Sequence, residues 1–367
     1  ALQRLNRSLP AEAIDDALTK VLRITQPGLA RTNRAFHKML RDGVPVEYKR
    51  ADGSIAGDMA QLVDYDVLSN NNWMVINQFT VVENQKNRRP DIVVMVNGLP
   101  LAILELKNAA DENATIWSAF RQLQTYKAEI PSLLQYNEVL VVSDGTTARM
   151  GSLTAGKEWY KVWRTIDGRG VEPATSLELE TMIRGVFDQR RFLDLIRYGI
   201  VFEEDTDSDK VHKILAGYHQ FHAVEQAVNE TVRASWLPKA GIGNDPMGTY
   251  TTSAMKDGKP GDRRIGVVWH TQGSGKSLSM LFYAARIARH VAMQNPTIVV
   301  LTDRNDLDDQ LFGQFQRCHE HLGQMPKQAT SVTHLRELLS VAAGGVIFTT
   351  IQKFKPDGKG EKMPLLS

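Results

Sequence analysis

The stretch His270-Thr271-Gln272-Gly273-Ser274-Gly275-Lys276-Ser277 constrains this chain more than any other. It follows an apolar run, Ile265-Gly266-Val267-Val268-Trp269, and precedes a helical pattern from Leu278 to Arg289. Strand, glycine loop and helix in that order make a loop whose backbone N–H groups close around a phosphate, while the helix N-terminus favours the negative charge. Gly273, Ser274 and Gly275 would wrap the phosphate, Lys276 would reach the β/γ oxygens, and the Ser277 hydroxyl would ligate Mg²⁺. The strict pattern has glycine where this chain has His270. Apolar runs at Thr297–Leu301 and Val346–Thr349, with helical patterns between, supply further strands. Their alternation predicts a doubly wound parallel sheet.

A sheet of that kind uses only part of 367 residues, which suffice for two or three domains of roughly 100–200 residues. Lys+Arg 44 against Asp+Glu 42 leaves a formal charge of +2, so a nucleic-acid surface has to come from local clustering. One cysteine, Cys318, excludes an internal disulfide, and no apolar run reaches about 18 residues. A cytoplasmic protein without a membrane segment is expected. The start at Ala1 and the end at Met363-Pro364-Leu365-Leu366-Ser367 read as those of a fragment. The acidic stretch 203–209, after a helical pattern over Leu177–Tyr198, is the expected linker, giving domains at 1–202 and 203–367. A long helix over Val211–Trp236 and a Gly/Pro/Ser-rich loop over Pro238–Pro260 should follow it.

The first domain opens with a helical pattern over Ile14–Leu22, with Pro10 ahead of it, and turns β-rich from Trp73. Strands are expected over Val75–Val82, Asp91–Asn97 and Leu101–Lys107, the last two closed into a hairpin by Asn97-Gly98-Leu99-Pro100. A helix over Thr115–Glu129, with Ile116, Phe120 and Leu123 on one side, and a strand over Glu138–Val142 should come next. Alternation along a strand puts Glu105 and Lys107 on one face, where Asp91 meets them across the turn. Two carboxylates and an amine suit phosphodiester hydrolysis. Asp91 and Glu105 would hold Mg²⁺, and Lys107 would face the attacking water and the developing charge. Taken alone, such a trio equally describes a solvated hairpin face. Here the flanking runs Ile92–Met95 and Leu101–Leu104 read as strands buried on both faces, where a charge needs a reason. Gln122 and Tyr126 then fall at i and i+4 on one face of the next helix.

Together these residues resemble the PD-(D/E)xK nuclease superfamily, in the branch with a Gln-x-x-x-Tyr helix. The resemblance implies a mixed sheet flanked by helices, with Gln122 and Tyr126 beside the catalytic group of Asp91, Glu105 and Lys107. Such nucleases commonly add a glutamate from an N-terminal helix, for which Glu12 is the one early candidate. Around the glycine loop, Gly217–Val224 resembles the adenine-reading segment of superfamily 2 motors, with Gln220 on the base edge; an amphipathic helix with a solvated Gln is the alternative. Val299–Arg304 with Gln310, and Val346–Lys353, resemble that superfamily's phosphate-touching motifs, or else are polar strand ends. The resemblance implies a RecA-like lobe, truncated before its Asp-Glu-x-His box.

A nuclease of this branch upstream of such a motor is similar to the R subunit family of type I restriction enzymes. Ala1–Asn6, Gln78–Val81, Asn97–Leu101 and Ser143–Gly145 add to that resemblance. It implies ATP and Mg²⁺ as cofactors, and partnership with duplex DNA and with methyltransferase and specificity subunits. It further implies ATP-dependent translocation with cleavage away from the recognition site. A superfamily 2 helicase anchored to DNA by an inactive nuclease-like domain and a small-molecule P-loop kinase are the rival readings. Cys318-His319-Glu320-His321 lacks the second ligand pair of a zinc site. Trp159–Arg164 reads as an edge strand in preference to a base-stacking platform.

Overall fold

The computed structural model describes residues 1–108, 115–205, 208, 210–235 and 258–354. The chain divides into two compact units between Tyr218 and His219. In the first, a β1–β2 hairpin (Val44–Lys49, Ile55–Ala60) precedes β3 (Trp73–Asn77). A short β4–β5 pair (Val81–Glu83, Lys86–Arg88) then leads to β6 (Ile92–Val96) and β7 (Leu99–Leu106). After the helix Ile116–Glu129 come β8 (Val139–Ser143) and β9 (Ala148–Gly151). The main sheet has the order β3-β6-β7-β8-β9; only β7 and β8 are parallel.

The expected hairpin is β6–β7. Its turn residues Asn97 and Gly98 both have positive φ, 55° and 86°, as a two-residue turn matched to strand twist requires. The parallel β7–β8 pair needs a crossover, and the helix Ile116–Glu129 supplies it. Ile116, Ala119, Leu123 and Tyr126 pack on Val93, Met95, Ile103, Leu140 and Val142, so the helix covers one sheet face. Odd-numbered β7 residues point into that face, which carries Glu105 from the apolar floor to its polar end.

Several expected elements differ. Val75–Val82 is not one strand: Gln78 sits at φ 53° and ends β3. Leu177–Tyr198 forms two helices, Glu178–Val186 and Gln189–Tyr198, because the Asp188 carboxylate caps the second by accepting from the Arg191 N–H. Trp159–Arg164 makes only a single bridge, Met150 with Lys161, and Trp163 is buried. The boundary expected at 202/203 falls inside a hairpin of β10 (Ile200–Glu204) and β11 (Val211–Leu215), so the first unit runs on to Tyr218. Val211–Leu215 is therefore strand, with Val211, Lys213 and Leu215 inward, and the helix begins at Tyr218. Part of 203–209, nearly all of Pro238–Pro260, Trp236 and Met363–Ser367 lie outside the described residues.

Lys213 is buried on Glu138, Nζ to Oε2 2.6 Å, and the same oxygen is 2.9 Å from His37 Nδ1. Asn33 Oδ1 and the Asn137 carbonyl accept from the ammonium at 3.0 and 2.7 Å. Burial pushes the Glu138 carboxyl up, but Lys213 and His37 more than offset it, and it lies below its ordinary range. Breaking such a set strands a buried cation. Glu138→Ala should cost about 3–5 kcal/mol in urea unfolding; a loss under about 1 kcal/mol would show that the pair does not hold this hairpin down.

In the second unit β12 (Ile298–Thr302), β13 (Lys327–Gln328) and β14 (Val346–Thr350) form a parallel sheet in the order β12-β14-β13. Phe312 and Phe315 of the helix Asn305–Arg317 pack edge-on against Phe348. Ile265–Trp269 is not a paired strand: it lies open, with Val267 and Trp269 each 90% exposed. β14 already has a neighbour on either side, so among the described strands only sheet edges remain for this run. Arg233, from the helix Tyr218–Ser235, fastens its approach by donating to the Lys259 and Arg264 carbonyls, both 2.6 Å, and pairing with Asp262 at 3.0 Å. Cys318 and His321 are buried. No helix among the described residues is long and apolar enough to cross a membrane.

Candidate functional site

Asp91 precedes β6 by one residue, and the Ile92–Leu104 pairing brings it opposite Glu105. The backbone N–H of Leu106 donates to Asp91 Oδ2 at 2.8 Å, tying the two arms of the hairpin together. Glu105 is 1% exposed. It belongs to a closed hydrogen-bonded ring. Lys107 Nζ donates to Glu105 Oε1 at 3.2 Å and to Gln122 Oε1 at 2.7 Å. Gln122 Nε2 then donates to the Tyr126 hydroxyl at 2.6 Å, and that hydroxyl donates to Glu105 Oε2 at 3.2 Å. The i, i+4 spacing of Gln122 and Tyr126 lets one helix turn present both to the strand. The structure thus gathers Glu105, Lys107, Gln122 and Tyr126 into one ring beside Asp91, as the sequence pattern expects.

Burial, together with the charge of Asp91, pushes the Glu105 carboxyl up to about 7, with Lys107 and Tyr126 offsetting part of the rise. Burial also raises the Tyr126 hydroxyl, which keeps it a donor. A buried glutamate carboxyl raised beside the Asp91 carboxylate is a fit for a divalent cation, which offsets both the burial and the repulsion. Mg²⁺ in particular takes one or two protein carboxylates and completes its shell with water and phosphate. Among the described residues no third histidine, cysteine, aspartate or glutamate joins the pair. Glu12 is exposed in the first turn of its helix and is not brought to the site.

Because a cation must displace the proton, Mn²⁺ affinity at this site should fall about tenfold between pH 8 and pH 6. Calorimetry at the two values checks this, and equal affinities would contradict a carboxyl that titrates near 7. The sign for stability is opposite. A carboxyl raised in the folded state binds more protons there than in the unfolded chain, so metal-free stability falls as pH rises from the ordinary glutamate range to about 7.

Gln78 links Asp91 to Arg89, a contact that no motif or spacing in the sequence marks. Gln78 Nε2 donates to Asp91 Oδ1 at 2.8 Å, and Gln78 Oε1 accepts from Arg89 Nε and Nη2 at 3.0 and 2.7 Å. Gln78 takes a left-handed backbone, φ 53°, directly after β3, an uncommon conformation for a residue other than glycine.

In the second unit, Gly273 and Gly275 have φ 78° and 79°, which glycine alone adopts freely. A Cβ on Gly275 would also lie 2.7 Å from Gln220 Nε2. Lys276 and Ser277 open the helix Lys276–Arg289. The Lys276 ammonium donates to the loop's own carbonyls, His270 at 3.0 Å and Thr271 at 2.9 Å, and so lies across the loop. Ser274 Oγ is buried without a hydrogen-bond partner among the described residues. Gln220, 2% exposed, donates to the Gly275 carbonyl at 3.0 Å, and His219 Nε2 is 3.0 Å from the Ser274 carbonyl. Gln220 is therefore not a solvated helix residue: it touches the loop. At the end of β12, Thr302 Oγ1 donates to buried Asp308 at 3.1 Å. Gln352 Nε2 donates to the Asp303 carbonyl at 3.0 Å, joining the strand ends at 303 and 352, while Gln310 is exposed.

Comparison with known proteins agrees with this division. Residues 1–159 match the family described as the type I restriction enzyme R protein N terminus, and residues 219–367 match the SWI2/SNF2 ATPase family. Over its whole length the chain is 40% identical to the type I restriction enzyme HindI endonuclease subunit of Haemophilus influenzae, covering 33% of that protein. It is 34% identical over its whole length to the putative type I restriction enzyme MjaIXP endonuclease subunit of Methanocaldococcus jannaschii, covering 34% of it. A Staphylococcus saprophyticus endonuclease subunit is 26% identical over 86% of the chain and 29% of its own length. The chain thus spans about a third of the length of the relatives it matches.

Proposed function

The chain belongs to the family of type I restriction enzyme R subunits, and from that premise we propose that it carries a metal-dependent DNA nuclease and the nucleotide-binding part of a DNA motor. The first unit then has a PD-(D/E)xK fold and the second a RecA-like one. The observation that carries the nuclease reading is the ring of Glu105, Lys107, Gln122 and Tyr126 closed beside Asp91. It brings an ammonium, two carboxylates and a phenol together at the polar end of an otherwise apolar sheet face, the set of groups that metal-dependent phosphodiester cleavage uses.

Asp91 and Glu105 would hold Mg²⁺, which would supply charge to offset that of the scissile phosphate and would make water nucleophilic near neutral pH. Leu106 N–H and Gln78 orient the Asp91 carboxylate. Lys107, held by Gln122, would present its charge to the attacking water and to the scissile phosphate. Tyr126 fixes Glu105 from the other side. In the second unit the loop of Gly273, Ser274 and Gly275 receives the β-phosphate of ATP. Lys276 would exchange its loop carbonyls for the β/γ oxygens, Ser277 would be the Mg²⁺ ligand, and Gln220 would read the adenine edge. Duplex DNA is the track and the cleavage substrate, with methyltransferase and specificity subunits as partners in the cytoplasm.

The experiment that tests the reading is Mg²⁺-dependent nicking by the full-length subunit assembled with its partners. Glu105→Gln should remove it without removing ATP hydrolysis, and retention of nicking would overturn the nuclease assignment. Gln220→Ala should weaken ATP binding about fivefold to tenfold and narrow the preference for ATP over GTP, since a lost base-edge contact takes discrimination with it. Unchanged preference in competition binding would confine Gln220 to its bond with the Gly275 carbonyl.

A further inference from the structure

Arg89 and Arg121 lie along one groove with Gln122 and Tyr126, and Arg88 lies in the same groove. Arg88 is committed to an ion pair with Glu129. Arg89 and Arg121 are exposed and pair with no carboxylate among the described residues. Arg89 instead spends Nε and Nη2 on a neutral acceptor, Gln78 Oε1, and keeps its full charge and its remaining N–H donors. The same glutamine grips Asp91 twice, by its backbone N–H on the Asp91 carbonyl at 2.8 Å and by Nε2 on Oδ1 at 2.8 Å. Its left-handed backbone, φ 53°, is what turns both groups toward Asp91.

A neutral amide between a guanidinium and a carboxylate separates two opposite charges that would otherwise pair directly. Direct pairing would cancel the arginine and occupy the metal ligand. With Gln78 between them, both charges remain available to something else. Gln122 and Tyr126 of the hydrogen-bonded ring line the groove, and its cationic side offers planar N–H forks suited to phosphate oxygens.

Resting on the nuclease reading, we propose that Arg89 and Arg121 bind backbone phosphates of the strand in this groove, and that Gln78 is a positioning residue linking the phosphate on Arg89 to the orientation of Asp91. Guanidinium contacts to phosphate carry no base information, so the contact is independent of sequence. The ligand class is the phosphodiester backbone of a nucleic acid.

The test uses the full-length subunit, free of nucleotide, with two readouts besides cleavage: Mn²⁺ binding by calorimetry, and the salt dependence of binding to a duplex of arbitrary sequence. Gln78→Met keeps the side-chain length and removes both hydrogen-bonding atoms; it should weaken Mn²⁺ binding about 10- to 100-fold, as loss of an outer hydrogen bond to a ligand does. Arg89→Ala should lower the slope of log K against log salt by about 0.9, the value of one phosphate contact. Arg89→Lys should restore that slope while leaving Mn²⁺ binding weakened, because an ammonium replaces the charge but not the twin bonds to Gln78. Wild-type Mn²⁺ affinity in Gln78→Met, or an unchanged slope in Arg89→Ala, overturns the proposal. Glu105→Gln is the reference: if it too binds Mn²⁺ as wild type, the nuclease reading itself has failed, whereas its loss beside an intact Gln78→Met condemns the linkage alone.

Discussion

Lys107→Ala should abolish DNA cleavage by the full-length assembled enzyme, lowering its rate about 10²- to 10³-fold or more, while ATP hydrolysis continues. Three physical losses add. The ammonium that would face the attacking water and the charged phosphate is gone, and Glu105 loses the cation that offsets the burial of its carboxyl. That carboxyl then rises further, so at neutral pH less of it is ionised to hold a metal. Gln122 Oε1 loses its donor as well, which opens the ring. The glycine loop lies in the other unit and uses none of these atoms. Cleavage and phosphate release followed in one reaction, on protein shown by circular dichroism to be folded, check the division. Cleavage within about threefold of wild type would leave Lys107 as a structural cation only, and joint loss of ATP hydrolysis would deny that the two chemistries are separable.

Lys276→Ala should produce the converse pattern: ATP binding weakened by about 3 kcal/mol, roughly a hundredfold, with translocation lost and Mn²⁺ binding at Asp91 and Glu105 retained. The ammonium now rests on two backbone carbonyls, which are neutral acceptors. Exchanging them for phosphate oxygens converts weak bonds into charge-assisted ones, and the difference is what the lysine contributes to nucleotide affinity. Lys276→Arg should not rescue it, since a planar fork does not replace a compact ammonium inside the glycine turn. Calorimetry with ATP and with ADP measures both variants. Unaltered ATP affinity in Lys276→Ala would show that the loop is an ordinary strand-to-helix turn.

Elements with a strong local period were legible in the sequence. The β6–β7 hairpin, the helix Ile116–Glu129 and β8 are set by unbroken apolar runs buried on both faces, helical spacing of apolar residues, an Asn-Gly turn and a Pro131 stop. Strand parity puts Glu105 and Lys107 on one face and helix spacing puts Gln122 beside Tyr126, while the meeting of the two sets was legible only through the family resemblance. What escaped depends on partners distant in sequence. Lys213 in Val211–Leu215 breaks a strand pattern until Glu138 is known to await it, so the segment resembled helix. Ile265–Trp269 has a buried strand's composition, yet pairing is a property of neighbours, and among the described residues it has none. Gln78 and Arg89 escaped because their meaning lies in one hydrogen-bonded chain to Asp91, not in any spacing.

The most direct test of the account is anomalous diffraction from Mn²⁺ in crystals of the full-length subunit. The account predicts a peak held jointly by the Asp91 and Glu105 carboxylates, with Lys107 still on Gln122 and turned to the open side of the metal. A peak elsewhere, or no peak while Glu105 keeps its closed ring with Lys107 and Tyr126, would contradict it.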